Sequence, residues 1–296
     1  MEFSFPHYLL SKQSVDDRAL NRHVLDELRQ RIPTRPVRVI EIGAGIGTML
    51  RRLLRMNLLA HAEYVMVEQM SENIESASEW IPKWGAEAGL SVQSAGSAGW
   101  RLFDNTRDVQ VQLEHADLFD FAKVNKAPAD LLLAHAVLDL LPLPASMQQL
   151  LALTRDLAWL TMNFDGLTTL EPVVNAELDS RIERLYHASM DARPTGGDSR
   201  SGRHLFAHVR QLGARVLAAG SSDWVVHSVG GRYPEDEAYF LQCILHFLEE
   251  SLAGQAELDV AAFSAWLEER RRQIASGVLV LIAHQMDLLV RVPRPD

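Results

Sequence analysis

The run Val39-Ile40-Glu41-Ile42-Gly43-Ala44-Gly45-Ile46-Gly47-Thr48 limits the fold of this chain more than any other stretch. A β-branched run carrying one acid leads into three glycines at alternate positions, and then into a segment of helical character. Glycine lets the backbone turn sharply and lets a ligand approach the peptide plane with no Cβ in the way. A strand that enters such a turn and leaves as a helix is how an α/β sheet builds a nucleotide-sized crevice. The spacing is G-x-G-x-G, not the G-x-G-x-x-G of pyrophosphate binders.

Length and charge narrow the class further. With 296 residues, 47% of them hydrophobic, the chain can fill one large α/β domain or two small ones. A formal net charge of −10 disfavours a nucleic-acid partner, which would need a basic face, although a small local basic site is compatible with it. The single cysteine, Cys243, excludes an internal disulfide and suits a reducing cytoplasm. The opening Met1-Glu2-Phe3-Ser4-Phe5-Pro6 has no basic stretch followed by an apolar one, so it does not read as a secretory signal. The longest apolar runs, such as residues 131–143, contain Asp or His and are too short to span a bilayer. The expectation is a cytoplasmic protein with neither a nucleic-acid nor a membrane partner.

Periodicity divides the chain. Residues 14–32 carry Leu20, Val24, Leu25 and Leu28 at helical spacing and stop before Pro33. Residues 37–42 read as a first strand, 48–57 as a helix, 62–68 as a second strand, and 71–81 as a helix ended by Pro82. Residues 94–99 read as a flexible loop, and 100–103 with 109–113 as a hairpin around Asp104-Asn105 that leads into the third strand. Residues 129–134 and 157–164 give the fourth and fifth strands, with a helix over 147–155 between them. This alternation predicts a doubly wound, mostly parallel α/β sheet. The second half is less regular. It reads as an amphipathic helix over 171–190, a loop over 193–199, a helix over 205–212, and strand-like stretches at 215–219 and 224–229. Helices follow over 235–252 and 260–277, and the end is either two strands, 278–282 and 288–292, or one interrupted or bulged strand.

Three further stretches join the glycine turn. Glu68 ends the second strand, where doubly wound folds place an acid that accepts both ribose hydroxyls. Glu114-His115-Ala116-Asp117-Leu118-Phe119 ends the third strand with an acid followed by bulky apolar residues. Residues 129–139, Ala-Asp-Leu-Leu-Leu-Ala-His-Ala-Val-Leu-Asp, form the fourth strand and the loop after it. In this order over residues 37–139, the four stretches resemble the class I S-adenosylmethionine (SAM)-dependent methyltransferases, the first being their motif I and the last their motif IV. The resemblance implies a Rossmann-like domain over residues 1–296, with a helical cover at 1–32, a cofactor-binding half at 37–164, and lid insertions at 166–204 and 230–277. It implies SAM as cofactor and S-adenosylhomocysteine as product. Glu41, Gly43, Ala44, Gly45 and Gly47 would then lie at the amino-acid head, and Glu68 and Gln69 at the ribose. Asp117 and Leu118 would lie at the adenine, and His135 beside the transferred methyl. The helical cover would bring Tyr8 or Asn21 within reach of the cofactor.

Each acid also has a structural reading: Glu41 bonding the turn, Glu68 a surface acid, Asp117 a turn residue. A NAD-dependent oxidoreductase would share the glycine turn and the acid after the second strand. However, it prefers a glycine where Thr48 stands and leaves Ala116-Asp117-Leu118 without a role. A hydrolase reading fails because Gly220-Ser221-Ser222-Asp223-Trp224 lacks the second glycine of a nucleophile elbow.

Methyl transfer from a sulfonium asks mainly that the acceptor be held in line with the methyl. A hydroxyl acceptor usually also needs a general base, for which His135 and His187 are the candidates. The alternative for His135 is a backbone contact with its imidazole elsewhere, and for His187 a solvated helix position. The 166–204 insertion carries Tyr186, Asp191, Arg193 and Arg200, where arginine could meet a carboxylate, and Asp223 with Trp224 could close an acceptor pocket. The stripe Tyr239, Cys243, His246 and Phe247 reads as core or homodimer packing. No spacing suggests a metal site. The expectation is methylation of the O or N of a small molecule. A peptide or protein methyltransferase and a catalytically silent SAM-binding module are the alternatives.

Overall fold

Val37, Val39, Ile40 and Ile42 are all buried, as a strand covered on both faces requires, and they form β1 (Val37–Ile42). In the computed structural model, which describes residues 3–96 and 98–293, β1 lies within a ten-stranded sheet. Met1 and Glu2 of the opening segment, Ser97 of the 94–99 loop and residues 294–296 lie outside the described residues. Three short helices precede β1: α1 (Phe5–Ser11), α2 (Gln13–Ala19) and α3 (Arg22–Arg31). After it come α4 (Thr48–Arg55), β2 (His61–Glu68), α5 (Ser71–Glu87), β3 (Ser91–Ser94), β4 (Gly99–Phe103) and β5 (Asp108–His115). The chain continues through α6 (Leu118–Val124), β6 (Ala129–His135), α7 (Ala145–Ala152), β7 (Thr154–Glu171), α8 (Ala176–Asp191) and α9 (Ser201–Gln211). It ends with β8 (Arg215–Ser221), β9 (Trp224–Val226), α10 (Glu237–Leu252), α11 (Val260–Ala275) and β10 (Val280–Arg291).

The strand order is β3-β4-β5-β2-β1-β6-β7-β10-β8, with β9 also paired to β10. The run β5-β2-β1-β6-β7 is parallel, whereas β10 is antiparallel to β7, β8 and β9. Alternate residues of the parallel strands face opposite ways, so the two faces bury separate clusters. Val39, Tyr64, Leu131 and Trp159 pack under Leu28, Leu50, Leu53 and Ile81 of α3, α4 and α5. Ile40, Val65, Leu132 and Ala158 pack under Phe121, Met147, Leu150 and Leu205 of α6, α7 and α9. The sheet is therefore doubly wound and mostly parallel. A third cluster joins Ile182, Leu185, Phe240, Leu245, Trp266 and Leu281, where α8, α10 and α11 cover the far ends of β7 and β10.

Several sequence expectations need correction. Pro82 does not end its helix: α5 runs through it to Glu87, because carrying the helix on buries Trp84 and Gly85 beside β3. The carbonyl that loses its donor at Pro82 belongs to Ser78, on the exposed face where water can serve it. The segment 14–32 is two helices, broken at Leu20 and Asn21, with the Asn21 side chain capping α3 through the Val24 N–H. Residues 166–171 belong to β7 and not to an insertion, since they pair with β10 as far as Glu171 opposite Val280. The helix expected from 171 therefore starts at Ala176, capped by Asn175. The closing strand is one bulged strand, β10, with register shifts at 283/285 and 286/288. Three elements, α1, β3 and α6, were not legible beforehand.

Candidate functional site

The carboxyl ends of β5, β2, β1 and β6 stand side by side in that order and open on one cleft, about 1350 Å³ of non-atom space including its solvent-open mouth. At a strand spacing of about 4.8 Å, the edge from β5 to β6 measures about 14 Å, room for an extended ligand lying across four strand ends. Asp117 and Leu118 follow β5, Glu68 and Gln69 lie at the end of β2, Glu41, Gly43, Ala44 and Gly45 at the end of β1, and His135 at the end of β6. All of these line the cleft. Gly47 does not. It caps α4 from the left-handed region, and its backbone packs against the side chains of Ile81 and Met66.

The glycine turn is built for close approach. Gly43 and Gly45 sit at φ +67° and +56°, a region that costs other residues energy. A Cβ on Gly43 would lie 2.8 Å from Val137 Cγ2, and one on Gly45 2.8 Å from Leu9 Cδ1. Glu68 braces this turn. Its Oε2 accepts from the Gly45 N–H and its Oε1 from the Met70 N–H, each at 2.8 Å. Each carboxylate oxygen has more than one lone pair, so both can still accept from a ligand hydroxyl. Asp117 caps α6 through the Asp120 N–H at 2.8 Å while remaining exposed at the cleft. Glu41 is buried and its Oε2 accepts from the Tyr64 hydroxyl at 2.7 Å. Burial pushes its carboxyl up to about 8, against the opposing pull of that hydrogen bond.

His135 is buried with both ring nitrogens engaged: Nδ1 with Thr161 Oγ1 at 2.7 Å and Nε2 with Asp16 Oδ2 at 3.0 Å. Burial pushes it down to about 4, although Asp16 pulls the other way, so the imidazole is neutral at pH 7. For Asp16, burial acts to raise the carboxyl, but the Lys12 ammonium and the His135 hydrogen bond outweigh it and hold it well below the usual range. The ionised Asp16 accepts from Nε2–H, and Nδ1 accepts from the Thr161 hydroxyl.

Sequence reasoning missed the residues that cover the cleft. Phe5, Leu9 and Lys12 share one face of α1 and its end, and all three line the cleft. The signal for α1 was present: Ser4 is its N-cap, and Pro6 lies within its first turn. Tyr8 points away from the cleft, packing against Phe240 and Phe247, and Asn21 is used in its cap and in a bond from Nδ2 to the Ser221 carbonyl. Asn73, in the first turn of α5, lines the cleft with a buried Oδ1 that has no hydrogen-bond partner among the described residues.

None of the six residues expected at the acceptor lines this cleft. Tyr186 lines a separate cavity of about 680 Å³, together with Trp266 and Arg270. Asp191 holds the loop after α8 by accepting from the Ser199 N–H and hydroxyl, at 2.7 and 3.1 Å. Arg193 is half-buried in that loop, and Arg200 is exposed, its N–H donating to Asp198. Thr195, between them, does reach the cleft. Asp223 pairs with His284 at 2.8 Å, and Trp224 donates its indole N–H to Asp16 Oδ1 at 2.9 Å. His187 lies on α8, with Nε2 3.3 Å from Thr168 Oγ1, and burial lowers its pKa. No group of three or more potential metal ligands occurs among the described residues.

Comparison with solved structures bears on the fold. A Bacillus halodurans C-125 protein provisionally described as a methyltransferase matches over 91% of this chain and 98% of its own, at 10% identity and a TM-score of 0.51. The chain has the class I methyltransferase fold. A SAM-dependent methyltransferase of Thiobacillus denitrificans, in complex with S-adenosyl-L-homocysteine, matches over 97% and 99% of the two chains, at 12% identity and a TM-score of 0.46. No family model matches the sequence, and no curated protein matches it. Within the class I methyltransferase fold, β3 and β4 widen the sheet beyond β5, and β7 and β10 run on past the sheet edge to carry α8, α10 and α11.

Proposed function

We propose that this chain is a SAM-dependent methyltransferase acting on the O or N of a small molecule. The observation that carries the reading is the succession of Asp117, Glu68, the glycine turn and His135 along one sheet edge. That order suits an extended SAM with its base, ribose and amino-acid head laid along the edge and its methyl, carried on the sulfonium between ribose and head, turned toward β6. Two further features support it. The turn approaches its neighbours so closely that a Cβ at Gly43 or Gly45 would collide, and the buried Asn73 Oδ1 awaits a donor that a ribose hydroxyl or the adenine amino group can supply.

Bound SAM supplies a methyl on a sulfonium that leaves readily, so the chain's own task is to hold, aim and dry the site. Glu68 takes the ribose diol while keeping its two backbone donors. Asp117 accepts from the adenine amino group beside Leu118. Glu41, buried and protonated at pH 7, ionises when a cationic head arrives. His135 has neither nitrogen to spare as a base in this arrangement, which favours an acceptor that enters as a neutral amine or is already anionic.

Calorimetry with SAM and S-adenosylhomocysteine tests the cofactor, with tight binding to the wild-type chain expected and a loss of at least tenfold in Glu68→Ala. Unchanged binding in both Glu68→Ala and Asp117→Ala would sink the assignment. Labelled-methyl transfer across amines, phenols, acids and peptides tests the reaction. Binding without transfer to any of them would favour a silent SAM-binding module.

A further inference from the structure

We propose that Lys12 is the receptor for the carboxylate of an amino-acid head bound in the cleft, an inference that rests on the SAM reading above. Lys12 joins α1 to α2, and its side chain is only 5% exposed, yet it lines the cleft. Three residues earlier on the same face, Leu9 sits directly over Gly45. Lys12 thus opens on the same cleft as the turn that receives the head.

A buried ammonium needs partners, and Asp16, 3.3 Å away, cannot satisfy it alone. Asp16 is already shared: Oδ2 also meets His135 Nε2 at 3.0 Å and Arg52 Nη2 at 3.8 Å, and Oδ1 takes the Trp224 indole N–H at 2.9 Å. An ammonium has three donors, so Lys12 keeps N–H groups for the cleft. The rings of Trp224 and Tyr8 flank it, with centroids 5.5 and 6.0 Å away, and limit where it can swing.

Charge and position select the ligand group. The other formally charged side chains lining the cleft among the described residues, Glu41, Glu68 and Asp117, are all acids, so Lys12 is its one cation. Because Asp16 ties the α1–α2 junction to His135 at the end of β6, Lys12 lies at the far end from Asp117 and the base. A zwitterionic head fits this division, its ammonium toward Glu41 and its carboxylate on Lys12. A charge-assisted bond of this kind is worth roughly 10- to 100-fold in affinity.

The test compares SAM with decarboxylated SAM, which keeps the adenosine, the sulfonium and the ammonium. By calorimetry the wild-type chain should prefer SAM by about 10- to 100-fold, and Lys12→Met should lose that preference while still binding decarboxylated SAM at least as well. Retained binding of the decarboxylated ligand shows that the variant is folded, and Lys12→Arg should keep most of the preference. A preference that survives in Lys12→Met, or a wild type that binds both ligands equally, overturns the proposal and leaves the cofactor assignment standing. A wild type that binds neither ligand overturns both.

Discussion

Asp16 Oδ2 lies 3.0 Å from His135 Nε2, a contact between residues 119 positions apart that fastens the N-terminal helices to the end of β6. The histidine is folded in its neutral form and held near pKa 4, whereas an unfolded histidine titrates near 6.5. The unfolded chain therefore binds the extra proton first as pH falls, and stability is lost between about pH 6.5 and 4. Melting temperatures across that range should decline in the wild type and decline less in His135→Gln. An equal slope in both would remove His135 as the cause.

Glu41 has the opposite sign. Its folded carboxyl is raised to about 8 from the ordinary 4.5, so the folded state holds more protons in between, and this contribution to stability weakens as pH rises through that window. When a cationic ligand binds at pH 7, Glu41 should release its proton. Calorimetry in two buffers of different ionisation enthalpy should show that release as a difference in apparent enthalpy. Glu41→Gln should abolish the difference.

Gly45→Ala should weaken cofactor binding at least tenfold. The new methyl meets Leu9 Cδ1 at 2.8 Å, and the position at φ +56° adds about 1 kcal/mol of backbone cost. Leu9→Ala in the same chain removes the collision but not the backbone cost, so it should restore only part of the affinity. Full recovery would show that the left-handed conformation contributes nothing.

Arg270 is fully buried, donating from Nη2 to Asp179 at 2.9 Å and from Nη1 to the Pro172 carbonyl at 2.6 Å. Arg270→Ala takes the cation from Asp179, which keeps its Trp266 indole and Val174 N–H donors, and empties a buried site, so it should lower stability by about 3 kcal/mol, read from chemical denaturation. Cofactor affinity should be unchanged, because this cluster lies with α8 and α11, away from the cleft. A parallel loss of affinity would mean that the two regions are energetically coupled.

The cleft at the strand ends was legible in the sequence because its signals are local. A β-branched run, a glycine turn and an acid at a strand end each report on their own few residues, and the parallel sheet brings those ends together. The residues expected at the acceptor do not reach that cleft. Tyr186, Arg193 and Trp224 attract attention by residue type, but their neighbours are set by how far β7 extends, and residues 165–171 carry too weak an alternation to show that length. Lys12 escaped for a related reason. Its helix has seven residues, and its inward face shows only Phe5 and Leu9 as apolar members, too few to mark a period. Pro82 misled because the rule that stops a helix there assumes a buried carbonyl, and that of Ser78 faces water.

The helices over the far ends of β7 and β10 have a hydrophobic interior of their own, and Trp224 packs against both that interior and the one beneath the cleft. Two interiors that share long strands but few side chains can change at different rates. Such a chain can exchange the outer helices for others of different shape while the cradle at the sheet edge is inherited intact.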